Sequence, residues 1–129
     1  MNVQLDHMII AARDKHASAA FFSEMLGLPV PMPAGPFVAV QIDHGLSLDF
    51  ADADGDIRPQ HYAFLVSDAE FDTIFERLCR RDLPSWADPR RTRPGEIAHR
   101  WHSRAFYFED PSGHFLEVLT PATPLEDVA

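Results

Sequence analysis

The chain has 129 residues, 46% of them hydrophobic, which suits one compact domain with a filled core. Its formal charge of -9 and pI near 5.0 argue against nucleic acid or an anionic membrane surface as partner, because both select a basic face, and point to a small molecule instead. No apolar run approaches the ~20 residues that cross a bilayer, and Met1 leads straight into a strand pattern without a signal core, so a cytoplasmic location is expected.

Residues 3 to 11 alternate in the manner of a strand. Asp14 then caps a helix reaching Leu26, with Ala19, Phe22, Met25 and Leu26 as its apolar stripe and Gly27 as its stop. Leu28 to Pro36 carries four prolines and a glycine, which predicts an extended connection with room for a short edge strand. Phe37 to Ile42 and Leu46 to Ala51 read as a hairpin around Asp43-His44-Gly45. The acidic run Asp52 to Asp56 separates two halves; it resembles a calcium loop, but it lacks the closing glutamate and has strand-like flanks.

The second half repeats the order. Gln60 to Val66 reads as a strand, and a helix starts near Ser67 or Asp68, with Phe71, Ile74, Phe75 and Leu78 at helical spacing. The single cysteine, Cys79, lies on that helix; it leaves no partner for an intrachain disulfide and is expected to be a buried or half-buried thiol. Ser85 to Ala87 suggests a short strand, and 88 to 103 a long loop of the kind that carries function. Arg104 to Phe108 and His114 to Thr120 form a hairpin turning at Glu109 to Gly113. The expectation is an α+β domain over 1–129 built from two βαβββ modules, 1–53 and 57–121.

Strand alternation then locates a candidate metal site. Leu46, Leu48 and Phe50 share a face beneath the helix, which leaves Ser47 and Asp49 on the other. Leu116 and Val118 likewise oppose Glu117, and Tyr62, Phe64 and Val66 oppose His61. His7 opens the first strand as His61 opens its counterpart. If the sheets curve toward one another as one mixed sheet, His7, His61, Glu117 and Asp49 would line a metal-binding cleft. Two histidines and a carboxylate suit a first-row divalent ion and leave positions open, the pattern of non-haem Fe(II) oxygenases. His7, His61 and Glu117 would form the triad, with Asp49 as fourth ligand or as a nearby base.

These residues also resemble a known family. Leu5-Asp6-His7, the helix end Met25-Leu26-Gly27-Leu28, His61-Tyr62-Ala63-Phe64, and the run from Tyr107 to Glu117 are similar to the vicinal oxygen chelate superfamily of glyoxalase I, bleomycin-resistance proteins, fosfomycin-resistance thiol transferases and extradiol dioxygenases. The resemblance implies a curved mixed sheet of paired βαβββ modules around a metal-binding cleft, metal ligation at His7, His61 and Glu117 with Asp49 at the fourth position, and a homodimer. Gly35-Pro36-Phe37, Leu46 to Asp52, Gln60 to Val66, Trp86 to Pro89 and Arg93 to Ile97 are further similar to the ChaP-like subgroup, named for a ring-cleaving oxygenase. That similarity implies Fe(II) and O2 acting on a polycyclic aromatic compound. One segment departs: His99 to Ala105 is bulky where the subgroup has a glycine-rich entry to its penultimate strand.

The expected enzyme is an oxygenase whose substrate presents two neighbouring oxygens to the ion. Fe(II) is favoured, and Mn, Zn and Ni are alternatives. Asp49, His99 or His102 would move protons; Arg93, Arg100 or Arg104 would orient an anionic group; and Trp101 or Trp86 would stack on a flat ring. His16, His44 and His114 are read as structural or solvated. The competing readings are a thiol transferase or glyoxalase-like lyase using the metal only as a Lewis acid, and a drug-sequestering resistance protein.

Overall fold

The computed structural model describes residues 2–122, and the chain divides into two compact units, Met1–Arg58 with Asp110–Gly113 and Pro59–Glu109 with His114–Ala129. The first holds β1 (His7–Ala12), α1 (Lys15–Leu26), β2 (Met32–Ala34), β3 (Phe37–Ile42) and β4 (Leu46–Asp52), in sheet order β1-β4-β3-β2. The second holds β5 (His61–Leu65), α2 (Asp68–Arg80), β6 (Ser85–Trp86), β7 (Ala98–Arg100), β8 (Ser103–Glu109) and β9 (Phe115–Leu119), in order β5-β9-β8-β6. In each unit the opening strand runs parallel to the closing one, and the other pairings are antiparallel. The fold is α+β, built from two βαβββ modules.

The helices start and stop where the sequence says. Asp14 Oδ1 accepts the His16 and Ala17 amides at 3.0 and 3.2 Å, and Asp52 Oδ1 accepts that of Lys15 at 2.8 Å, so α1 begins with its orphan donors satisfied. Gly27 closes it at φ 69, a left-handed conformation that costs a residue without Cβ nothing. Ser67 caps α2 through the Glu70 amide.

Each helix covers one face of its own sheet. Phe22 of α1 meets Phe50 of β4 edge-on at 4.9 Å, above buried Ile10, Val40 and Leu48. Phe71 and Phe75 of α2 meet Phe106 of β8 at 4.9 and 5.1 Å, above buried Leu116 and Val118. The alternation expected for β4, β5 and β9 is therefore the alternation observed. The turn Asp110–Gly113 packs with the first unit because the Arg13 amide donates to Ser112 Oγ at 3.0 Å, beside the Ser18 hydroxyl at 3.2 Å.

Two expectations need correction. The long loop of 88–103 contains β7, which pairs with Ser103–Ala105 on the same edge of β8 that β6 occupies at Tyr107 and Phe108. Two short strands thus share one edge, and the segment between them folds back through a bridge of Trp86 to Pro94. Cys79 is exposed, because the buried stripe of α2 runs through Phe71, Ile74 and Leu78. His114, read as structural or solvated, is structural: it is 1% exposed, with Nδ1 accepting the Gln60 amide at 3.0 Å and its ring edge-on to Tyr62. His16 is exposed, as expected.

Candidate metal centre and aromatic wall

In the second unit, His61 and Glu117 stand on the sheet face away from α2, on neighbouring strands. His61 Nε2 lies 3.0 Å from Glu117 Oε1, and His61 Nδ1 lies 3.0 Å from the Phe115 carbonyl oxygen. A carbonyl only accepts, so Nδ1 is assigned the proton and Nε2 is turned to the carboxylate. Side-chain exposure is 47% for His61 but 12% for Glu117, so the acid is the shielded member. Nδ1–H fixed by a carbonyl is the usual way a metal-ligating imidazole is oriented.

The first unit presents its own pair. His7, Ile9, Ser47 and Asp49 share the face opposite Phe50, with His7 level with Ser47 and Ile9 level with Asp49. Asp49 Oδ1 accepts the Ser47 hydroxyl at 2.6 Å, while His7 Nδ1 donates to Asp6 Oδ2 at 2.8 Å. That bond raises the His7 pKa from its ordinary value; desolvation opposes it, and the charges of Asp6 and Asp49 add to it. Among the described residues no group of three or more His, Cys, Asp and Glu side chains stands together at ligand spacing. Both pairs consist of imidazole and carboxylate, and both imidazoles are anchored through Nδ1, which fits a first-row divalent ion.

Beside His61 and Glu117 stands a wall of rings that the sequence reading missed except for Trp86. Tyr107, paired directly with Glu117, stacks on Phe115 at 5.5 Å with an interplanar angle of 11°, and on His61 at 6.1 Å. Trp86 lies 6.1 Å from Phe115. The guanidinium of Arg91 covers Trp86 and Phe115 at 4.9 and 4.7 Å and pairs with Glu109. Parity with Glu117 was the available signal, since Phe115 lies two residues earlier on the same strand.

The loop candidates separate by face. Arg100 Nη2 donates to the Tyr107 hydroxyl at 3.2 Å, which puts it on the wall side. His99 is level with Arg104, on the opposite side of β7 from Arg100. Arg104 belongs to the α2 face: it bonds Asp72 at 2.7 Å and Asp68 at 2.9 Å and lies 4.2 Å above the Phe71 ring. Burial pulls its pKa down, but the bonds to Asp72 and Asp68 prevail and hold it above the ordinary value. Arg93 is exposed and paired with Glu96 at 3.1 Å. Trp101 and His102 form the β7–β8 turn, where Trp101 is 84% exposed and His102 has φ 59.

Paired βαβββ modules, each with a strand histidine and a strand acid on its helix-free face, define a scaffold class used for metal-assisted chemistry on small molecules. The model of the Glyoxalase/Bleomycin resistance protein/Dioxygenase superfamily matches residues 4–118, and the chain belongs to that superfamily. Its members generally use divalent metals. Among solved structures the chain is similar to Oxidase ChaP-H2, with 56% identity, 94% of this chain and 95% of that one covered, and a TM-score of 0.90. Oxidase ChaP-H1 matches at 53% identity over 92% and 96%, with a TM-score of 0.89. A more distant relative is the glutathione transferase FosA of Serratia marcescens, 28% identical over 88% of this chain and 78% of that protein.

Proposed function

We propose that the protein is a cytoplasmic, divalent-metal-dependent oxygenase, loaded with Fe(II) in preference to Mn, Zn or Ni, that oxidises or cleaves a flat aromatic molecule carrying neighbouring oxygens. The observation that carries this reading is the His61–Glu117 pair set beside the stacked rings of Tyr107 and Phe115. Identity above half to two proteins named as oxidases supports it. The ligands are His7, His61 and Glu117. The ion, when bound, supplies Lewis-acid stabilisation of a deprotonated substrate oxygen and a position for O2.

The chain's own residues do the rest. Phe115, Tyr107 and Trp86 form an apolar wall beside the pair, with Arg91 lying over Trp86 and Phe115, and a planar substrate would pack against that wall. Arg100, whose partner is a neutral hydroxyl, keeps its charge for an anionic substituent. Asp49, held by the Ser47 hydroxyl, takes the proton from the chelating oxygen. His102 and Trp101 at the β7–β8 turn supply a second proton carrier and an outer ring. The active species is a homodimer, the usual assembly of the superfamily.

The test is anaerobic Fe(II) titration of the parent, His61→Ala and Glu117→Ala, followed by oxygen uptake with aromatic diols. The expected result is near one ion per chain in the parent, loss in both variants, and oxygen consumption by the loaded parent. Absence of binding in a folded parent would reject the metalloenzyme reading and favour ligand sequestration. The similarity to FosA favours one second reading, a thiol transferase using the ion as Lewis acid only. Such an enzyme would turn over without consuming oxygen.

A further inference from the structure

We propose that Asp6 is a positioning residue that sets the tautomer and orientation of His7 for metal binding, an inference that rests on the metal-dependent reading above. His7 Nδ1 and Asp6 Oδ2 are 2.8 Å apart. An ionised carboxylate only accepts, so the proton of the neutral imidazole sits on Nδ1 and the lone pair is left on Nε2. His61 is anchored at the same nitrogen by a different group, its Nδ1 donating to the Phe115 carbonyl at 3.0 Å. Both strand histidines, in separate units, therefore present Nε2. The backbone supplies the anchor for one, and a side chain supplies it for the other.

The difference has a chemical consequence. Free imidazole favours the proton on Nε2, the wrong nitrogen for an ion approaching there, so an unanchored His7 must first shift its tautomer and then find its rotamer. Side chains at 6 and 7 would point to opposite faces of a regular strand, but Asp6 precedes β1, whose first residue is His7. Asp6 ends the pairing with β4, its carbonyl accepting the Ser47 amide at 3.0 Å, and its carboxylate turns back to the imidazole. Its exposure of 88% means that no packing role competes with this one.

Two measurements on the full-length chain test the proposal. Imidazole nitrogen NMR of the metal-free protein at alkaline pH should show His7 with its proton on Nδ1 in the parent and on Nε2 in Asp6→Ala. Anaerobic Fe(II) titration should then give Asp6→Ala an affinity about 10–100-fold weaker than the parent. Asp6→Asn, whose amide oxygen still accepts from Nδ1, should recover most of the loss. An Asp6→Ala protein that binds Fe(II) like the parent, or a His7 tautomer that ignores the substitution, would overturn the role of Asp6 alone. A folded parent that binds no ion would overturn the metal reading itself, and the role of Asp6 with it.

Discussion

The two units hold equivalent histidines under different constraints. His61 is fixed by a carbonyl of the neighbouring strand and faces an acid whose side chain is 12% exposed, so both members are placed by the register of β5 on β9. His7, with 56% side-chain exposure, is held by Asp6, and its neighbour Asp49 bonds Ser47 instead of a histidine. One half is built by the sheet, and the other is adjusted by side chains. On the proposed metal-dependent reading, His61 and Glu117 should therefore dominate ion affinity, and Asp49 should matter more for proton transfer.

The largest expected effect breaks that comparison at its acids. Glu117→Gln removes a shielded charge from its histidine and should weaken Fe(II) binding by more than about 100-fold. Asp49→Asn should keep binding within about tenfold while lowering kcat by about 10²–10⁴, the range for loss of a general base. Titration beside steady-state kinetics separates the two, and equal loss of binding in both variants would make Asp49 a ligand of the same rank as Glu117.

The cores differ in the same direction. Phe50 meets one aromatic partner from its helix, Phe22, whereas Phe106 meets Phe71 and Phe75 as well as Phe108. Truncating either fully buried ring to alanine should cost about 3–5 kcal/mol. Phe106→Ala should exceed Phe50→Ala by about 1 kcal/mol for its additional edge-on pair. Urea denaturation midpoints measure the difference, and reversed order would mean that the cavity at Phe50 collapses less well.

Regular alternation is also what made the fold legible. Period two in Leu46–Phe50 and the lone acid Glu117 between Leu116 and Val118 assign the faces, and the caps at Asp14, Gly27 and Ser67 mark the helix ends. β7 was not legible because its hairpin turns at Trp101–His102 with His102 in a left-handed conformation, where turn chemistry favours glycine or asparagine. Without that strand the parity of 98–103 is undefined, so His99 and Arg100 looked alike, whereas Arg104 already shared a face with Phe106 on the expected strand Arg104 to Phe108. Arg91 was hidden for a related reason: φ 60 turns it back over Trp86 and Phe115, and no local pattern announces that reversal.

Arg100 and Arg104 sharpen the contrast between the two faces of one hairpin. Arg104→Met gives up two carboxylate partners and the stack on Phe71, and should destabilise the fold by about 1–2 kcal/mol without changing Fe(II) affinity. Arg100→Met should leave stability within about 0.5 kcal/mol and instead raise KM for anionic aromatic substrates. Thermal unfolding and substrate kinetics on both proteins distinguish a structural arginine from a recognising one.

The smallest effect concerns the segment that carries Arg91 over the wall. Asp88 accepts the Thr92 hydroxyl at 2.6 Å and the Thr92 and Arg93 amides at 3.0 Å each. The Thr92 hydroxyl is the main cause of its lowered pKa; desolvation opposes the shift, and the backbone donors reinforce it. For a carboxylate depressed by folding, the contribution is present above the ordinary aspartate value of about 3.9 and is lost only as pH falls through the lower folded value. Hydrogen exchange at the Thr92 and Arg93 amides should therefore stay protected at the pH where free aspartate is half protonated and open below it, while Asp88→Ala should leave both amides open at every pH. Protection lost already at the ordinary aspartate value would mean that the carboxylate does not clamp the turn, and the place of Arg91 above Trp86 and Phe115 would then depend on its ion pair with Glu109.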